Sequence, residues 1–153
     1  MYSKDQASQI KQAFWTAYGQ YMALQPSAEG LRINWINYKT GIKHLAFKMQ
    51  VDKKSAWIGI ELSNPDLTIQ QLLFEQFEEY KKLLTGILGE EWQWELHSTD
   101  EYGKTVCKIY TVLPGVSIFN KEDWPKLISF FKPRIIALDE FWNDARYGFE
   151  LFK

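Results

Sequence analysis

Apolar side chains recur at helical spacing along the first segment of the chain. Phe14, Tyr18 and Tyr21 would lie on one side of a helix, and the pattern predicts that this helix covers about residues 4–23. Pro26 follows, and proline cannot continue a helix because it lacks a backbone N–H. The first helix is therefore expected to end before a turn.

Alternation of apolar and polar residues replaces the helical spacing after this turn. It predicts three strands, at about residues 31–38, 42–51 and 56–62, joined by short polar turns that make consecutive hairpins. Because a slip by one residue would move every side chain to the other face, the registers can be checked against one another. One face is then expected to be core: Ile33, Trp35, Leu45, Phe47, Met49, Val51, Ile58, Ile60 and Leu62.

The second half of the chain repeats both patterns. A helix is predicted over about residues 66–88, two strands over 91–97 and 104–113, and a last helix over about 120–145 that Pro133 should kink or split. The order α-βββ-α-ββ-α predicts an α+β fold with an antiparallel sheet of about five strands packed by long helices. Six residues are expected to be buried: Trp35, Phe47, Ile60, Phe77, Trp94 and Trp142. Ile69, Leu72 and Leu96 are placed on the same apolar sides.

The composition narrows the class of protein. At 153 residues the chain has the size of one domain, residues 1–153, and its 16% aromatic content favours large buried contacts or an aromatic binding surface. The single cysteine, Cys107, excludes an intramolecular disulfide and a thiolate metal cluster, which fits a reducing compartment. There is no apolar N-terminal run and no stretch of about 20 apolar residues, so we expect a cytoplasmic protein without membrane contact.

The formal net charge of -1 hides a division along the chain. Residues 31–55 contain six basic residues against Asp52 alone, whereas residues 61–101 contain ten acidic residues against Lys81 and Lys82. Such a distribution would let the two halves pair with each other, or let each bind a different partner.

Several sequence segments resemble a known protein family over nearly the whole chain. They are FWTAYGQYM (residues 14–22), NWINYKTGIKH (34–44), FEQFEEY (74–80), GEEWQW (89–94) and DWPKLISFFKPR (123–134). Together these segments resemble the bacterial family catalogued as domain of unknown function 4268. Some relatives carry a similar domain behind a nuclease-like one, so the resemblance implies a role near DNA metabolism or defence. It implies no role for any single residue.

The predicted order of helices and strands is also compatible with the core of PD-(D/E)xK nucleases. There, clustered acids hold a magnesium ion and a lysine assists hydrolysis. Glu61 is the candidate acid, but Ser63 stands where that lysine is expected, and Lys43 and His44 lie where an aspartate is needed. The competing interpretation is that Glu61 pairs with Lys48. Because the lysine and one acid of the nuclease site are missing, the sequence favours a protein that is not an enzyme.

Other catalytic patterns are also missing from the sequence. His44 and His97 lie on different predicted hairpins with no acid or histidine at ligand spacing. Cys107 alternates toward the core beside Trp94, where it would act as a small apolar residue. No phosphate-binding loop or dinucleotide fingerprint is present. The sequence therefore predicts no catalytic residue, no cofactor and no metal site.

The favoured candidate site is the polar face of the first three predicted strands. Positive groups there would neutralise phosphates while aromatic rings stack on bases, which favours a non-catalytic module that binds nucleic acid or a nucleic-acid-processing protein. Alternatively, the chain is a degenerate nuclease, or a structural interaction module that forms a homodimer through its aromatic surface. A helix covering this face would instead make its aromatic residues core. The candidate residues are Arg32, Asn34, Tyr38, His44, Lys48, Trp57 and Glu61.

Overall fold

The computed structural model describes residues 2–153. Helix α1 (Lys4–Met22) begins at Ser3, whose side chain accepts a hydrogen bond from the Gln6 N–H while the Gln6 side chain accepts one from the Ser3 N–H. The remaining elements are β1 (Leu45–Val51), β2 (Ser55–Leu62), α2 (Leu67–Glu79), α3 (Lys81–Leu88), β3 (Gln93–Thr99), β4 (Thr105–Pro114) and α4 (Trp124–Ala145). Short 3-10 turns, Lys121–Asp123 and Arg146–Phe152, lie on either side of α4.

The strands form one antiparallel sheet of four strands in the order β1-β2-β4-β3. Its register places Phe47 of β1 opposite Ile60 of β2, and Ile60 opposite Ile109 of β4. Alternation along the hairpin of β1 and β2 therefore runs as the sequence predicts, and the apolar positions share one face. We call this face the inner face, and all helices pack on its side through a single core cluster.

Five of the six residues that were expected to be buried are buried, and Trp94 is half-buried. Trp94 lies on β3, an edge strand, so its ring is covered from one side by Phe74, with ring centroids 5.7 Å apart. The centre of the core is aromatic: Phe77 of α2 contacts Phe149, with ring centroids 4.6 Å apart. The high aromatic content thus supplies large buried contacts.

The prediction of a strand over residues 31–38 is wrong, and the sheet has four strands instead of five. This segment belongs to an irregular loop, residues 23–44, between α1 and β1. The Asn34 carboxamide accepts hydrogen bonds from the N–H groups of Ile36 and Asn37, which turns the chain back where a strand would continue. Trp35 is buried as a loop anchor, and its indole N–H donates to the Gln25 carbonyl.

The predicted burial of Leu96 is also wrong, because the register of β3 shifts between Glu95 and Ser98. His97 adopts a left-handed conformation at φ 50°, and Leu96 is 47% exposed. The His97 N–H lies 3.5 Å from the sulfur of buried Cys107. A bulge of this kind turns the side chains after it to the other face.

The predicted helical stripes are partly wrong. Tyr21, Ile69 and Leu72 are exposed, whereas Gln70 is fully buried and its carboxamide donates to the carbonyls of Asn64 and Thr105. A polar residue takes an inward position because its hydrogen bonds are satisfied there. The second predicted helix also divides at Tyr80, whose backbone is not helical.

Pro133 does not split the last helix, since α4 continues through it. Buried Phe131 and Ile135 on either side of the proline hold both halves of the helix on the core. Among residues 2–153, none of the helices combines the length and the hydrophobicity that a bilayer-spanning segment requires.

Candidate functional site

The structure places five of the seven predicted site residues in two places and leaves Arg32 and His44 outside both. Because residues 31–38 form a loop, the sheet does not bring all seven side chains together. Lys48, Trp57 and Glu61 lie on the sheet face opposite the core, which we call the outer face. Asn34 and Tyr38 line a pocket between the loop and α4. Arg32 is exposed in the loop, and His44 stands just before β1 with φ 66°.

The outer face carries the alternate residues of all the strands. Register pairs place Gly59 of β2 opposite both Lys48 of β1 and Tyr110 of β4. The polar and aromatic side chains on this face are Lys48, Gln50, Trp57, Glu61, Gln93, Glu95, Lys108 and Tyr110. Trp57 and Tyr110 are half-buried and belong to no core cluster, so the helices do not cover them.

Trp57 and Tyr110 form a stacked aromatic pair on the two central strands. Their ring centroids are 5.4 Å apart and their planes differ by 22°. Gly59 makes room for this pair, because a Cβ atom at Gly59 would lie only 2.8 Å from the Trp57 ring. Among residues 2–153, neither ring stacks on a third aromatic residue. The pair is a partly exposed aromatic surface among polar side chains, in which each ring covers one face of the other, and we call it the aromatic platform.

Two polar side chains of the neighbouring strand β3 hold Tyr110 in place. Its hydroxyl donates to the Glu95 carboxylate at 2.7 Å and lies 3.0 Å from the Gln93 carboxamide oxygen. This hydrogen bond lowers the pKa of Glu95, while burial together with the same bond raises the pKa of Tyr110 to about 12. At neutral pH the pair therefore consists of a protonated tyrosine and an ionised glutamate.

Glu61 is an ion-pair partner on the outer face. Its carboxylate lies 2.7 Å from the Lys48 ammonium, and the Glu61 side chain is only 9% exposed against 41% for Lys48. The predicted pairing is thus observed, although Glu61 is buried where a solvated carboxylate was expected. Within residues 2–153, no group of three or more His, Cys, Asp and Glu side chains is placed to hold a metal ion.

A groove of about 510 Å³ runs beside the aromatic platform. Its walls come from the outer face, from Lys11 and Trp15 of α1, and from the β3–β4 turn. Lys48 and Lys108 line the groove together with the platform residue Trp57, and Tyr102 of the turn is 80% exposed. The groove thus combines ammonium groups, carboxylates and exposed aromatic surface.

The second place is a pocket of about 300 Å³, which we call the loop pocket. The buried carboxylate of Asp139 accepts hydrogen bonds from the Tyr38 hydroxyl at 2.5 Å and from the Ala28 N–H at 2.7 Å. Asp139 is not among the site residues predicted from the sequence. One signal was present, since Asp139 is a lone acid in the inward stripe that contains Ile135 and Trp142. A charged residue at such a position is rarely buried without partners.

Replacing Gly59 by Ala is expected to lower the free energy of unfolding by about 1–3 kcal/mol and to separate the stacked rings. The new Cβ would lie 2.6 Å from the Ile109 carbonyl oxygen, which belongs to the neighbouring backbone and cannot rotate away. Gly86→Ala is the control, because nothing lies within 4 Å of that position and alanine favours the α3 helix. Urea denaturation followed by circular dichroism measures both variants, and equal stabilities would contradict the prediction.

These features define the class of protein: an α+β domain with a four-stranded antiparallel sheet, helices on its inner face and an aromatic, lysine-bearing outer face. The chain belongs to the family described as Domain of unknown function (DUF4268), which matches residues 10–146. This match confirms the resemblance that the sequence segments indicated. Comparison with curated proteins and with solved structures gave no significant match.

Proposed function

We propose that this protein is a non-catalytic binding module that holds single-stranded nucleic acid on its outer face. The observation that carries the proposal is the Trp57–Tyr110 platform, which lies uncovered on the central strands of the sheet. Every base has a flat face, and stacking of a base on an aromatic side chain contributes about 1–3 kcal/mol regardless of sequence. A ring face that the other ring of the pair does not cover offers a stacking surface to an unpaired base.

The lysines around the platform suit a phosphate backbone. Lys11, Lys48 and Lys108 line the groove, and each ammonium near a phosphate releases condensed counterions. Four acids also line the groove. Glu61 pairs with Lys48, Asp52 and Asp100 accept hydrogen bonds from backbone N–H groups of their own turns, and Glu101 has no such partner among residues 2–153, so Lys11 and Lys108 are the lysines left without an ion pair. The bases of a duplex are paired and stacked, so this platform favours single strands over duplexes.

A binding experiment tests the proposal. Fluorescence anisotropy of labelled single-stranded and duplex oligonucleotides would be measured at several salt concentrations. Trp57→Leu keeps apolar bulk but removes the ring, so we expect a loss of affinity of roughly tenfold or more for the single strand. Lys11→Gln with Lys108→Gln should weaken binding and make the log-log salt slope shallower by about 1.4, since each contact contributes about 0.7.

Arg32→Gln serves as the matched control, because Arg32 is exposed but lies outside the groove. If affinity is unchanged in Arg32→Gln and lost in Trp57→Leu, the oligonucleotide binds at the outer face. Absence of binding at low salt, or binding indifferent to Trp57→Leu, would contradict the proposal and leave a protein-interaction module as the better account. Cleavage of the strand in magnesium that disappears in Glu61→Gln would favour the nuclease alternative instead.

A further inference from the structure

The loop pocket has the construction of a small-molecule site. Its apolar walls include the rings of Tyr38 and Trp142 and the side chains of Leu31 and Ile33. A hydrogen bond fixes the Trp142 ring in the wall, since its indole N–H donates to the Thr40 carbonyl at 2.9 Å. A concave apolar cavity with a few polar groups at fixed positions is the usual form of a ligand site.

The acidic groups of the loop pocket are already satisfied. Both carboxylate oxygens of Asp139 accept hydrogen bonds from the protein, one from Tyr38 and one from Ala28. The carboxylate of Glu29 lies 2.5 Å from the Arg146 guanidinium. The formal charges of the lining balance, with Asp139 and Glu29 against Lys39 and Arg146, and neither Asp139 oxygen lacks a hydrogen bond.

The groups that remain free are a cation and carboxamides. Among residues 2–153, the Lys39 ammonium has no ion-pair partner, and the side chains of Asn37 and Asn143 make no hydrogen bond to another residue. A carboxamide offers both donors and an acceptor to the edge of a polar ring. A free ammonium at the wall of an apolar pocket attracts an anionic group.

We propose that the loop pocket binds a planar heteroaromatic ring that carries one anionic group, the chemistry of a nucleoside monophosphate. The ring lies against Tyr38 and Trp142, the carboxamides of Asn37 and Asn143 contact its polar edge, and Lys39 binds the anionic group. The volume of about 300 Å³ admits one such unit but not a chain of several units. Such a ligand is either a free mononucleotide or the terminal nucleotide of a strand.

The test uses the full chain and the indole N–H signals of its tryptophans in two-dimensional NMR, assigned by single Trp→Phe variants. AMP, GMP, CMP and UMP are titrated separately, with adenosine and ribose 5-phosphate as probes that lack the phosphate or the ring. An oligonucleotide with a 5′ phosphate forms a further arm that distinguishes the end of a strand from a free nucleotide. We expect at least one nucleotide or strand end to shift the Trp142 signal saturably.

Lys39→Gln should weaken this binding roughly tenfold, as for the loss of one charged hydrogen bond. Lys43→Gln is the matched control, because Lys43 is an exposed lysine of the same loop outside the pocket. The proposal is overturned if no probe shifts the Trp142 signal, if ribose 5-phosphate binds as well as AMP, or if Lys39→Gln changes nothing. A shift of the Trp57 signal alone also overturns binding in the loop pocket, while it supports binding at the outer face. The two proposals can therefore fail separately.

Discussion

Replacing Phe47 by Ala is expected to lower the free energy of unfolding by about 3–5 kcal/mol. Phe47 is 3% exposed and lies between two rings, with centroids 5.0 Å from Tyr38 and 5.8 Å from Trp142. Truncation would leave a cavity between the sheet, α4 and the loop. The remaining rings, Tyr38 and Trp142, belong to the loop and to α4, and these elements cannot both move inward to fill it. Urea denaturation followed by far-ultraviolet circular dichroism measures the loss.

Two controls separate the cavity from the general effect of an aromatic substitution. Phe47→Leu keeps most of the volume, so its cost should be smaller than that of Phe47→Ala. Tyr102→Ala removes an aromatic ring that is 80% exposed and should change the free energy of unfolding by no more than about 0.5 kcal/mol. A loss below about 1 kcal/mol for Phe47→Ala would mean that the core around the β1 strand is packed differently.

The hairpin of β1 and β2 shows what local sequence can predict. Its strands alternate without interruption and are joined by a short turn in which Asp52 accepts hydrogen bonds from the N–H groups of Lys54 and Ser55. The strand period and the turn chemistry agree there, so the sequence correctly predicts which side chains share a face of the sheet. Residues 31–38 alternate as well, but Asn34 turns the backbone through its own side chain, and alternation cannot distinguish a strand from a loop anchored by Trp35.

The outer face was predicted only in part, for a reason of topology. Alternation correctly placed Lys48, Trp57 and Glu61 on one surface. Lys108 and Tyr110 complete that surface because β2 pairs with β4, and this pairing joins strands that are far apart in the chain. Hydrophobic patterns carry no signal for which distant strands are neighbours. The same limitation hid the loop pocket, where Asp139 contacts residues about a hundred positions away.

Replacing Asp139 by Ala is expected to lower the free energy of unfolding by about 2–6 kcal/mol. Two donors, the Tyr38 hydroxyl and the Ala28 N–H, would lose their acceptor, and each unsatisfied buried donor costs about 1–3 kcal/mol. In the natural protein, burial and the bond to Asp139 raise the pKa of Tyr38 above its usual range, so the hydroxyl is protonated and acts as the donor. Glu140→Ala, an exposed neighbour on α4, is the control and should be nearly neutral.

A double-mutant cycle with Tyr38→Phe assigns this loss to the hydrogen bond. Tyr38→Phe removes the donor while it keeps the ring that stacks on Phe47, so its cost should be clearly smaller in the Asp139→Ala background than in the natural protein. Asp139→Asn keeps one acceptor oxygen and should fall between the natural protein and Asp139→Ala. Hydrogen exchange of the Ala28 amide would report the same change locally, with faster exchange as the loop loosens. Additive costs in the cycle, or unchanged exchange at Ala28, would show that Asp139 does not hold the loop against α4.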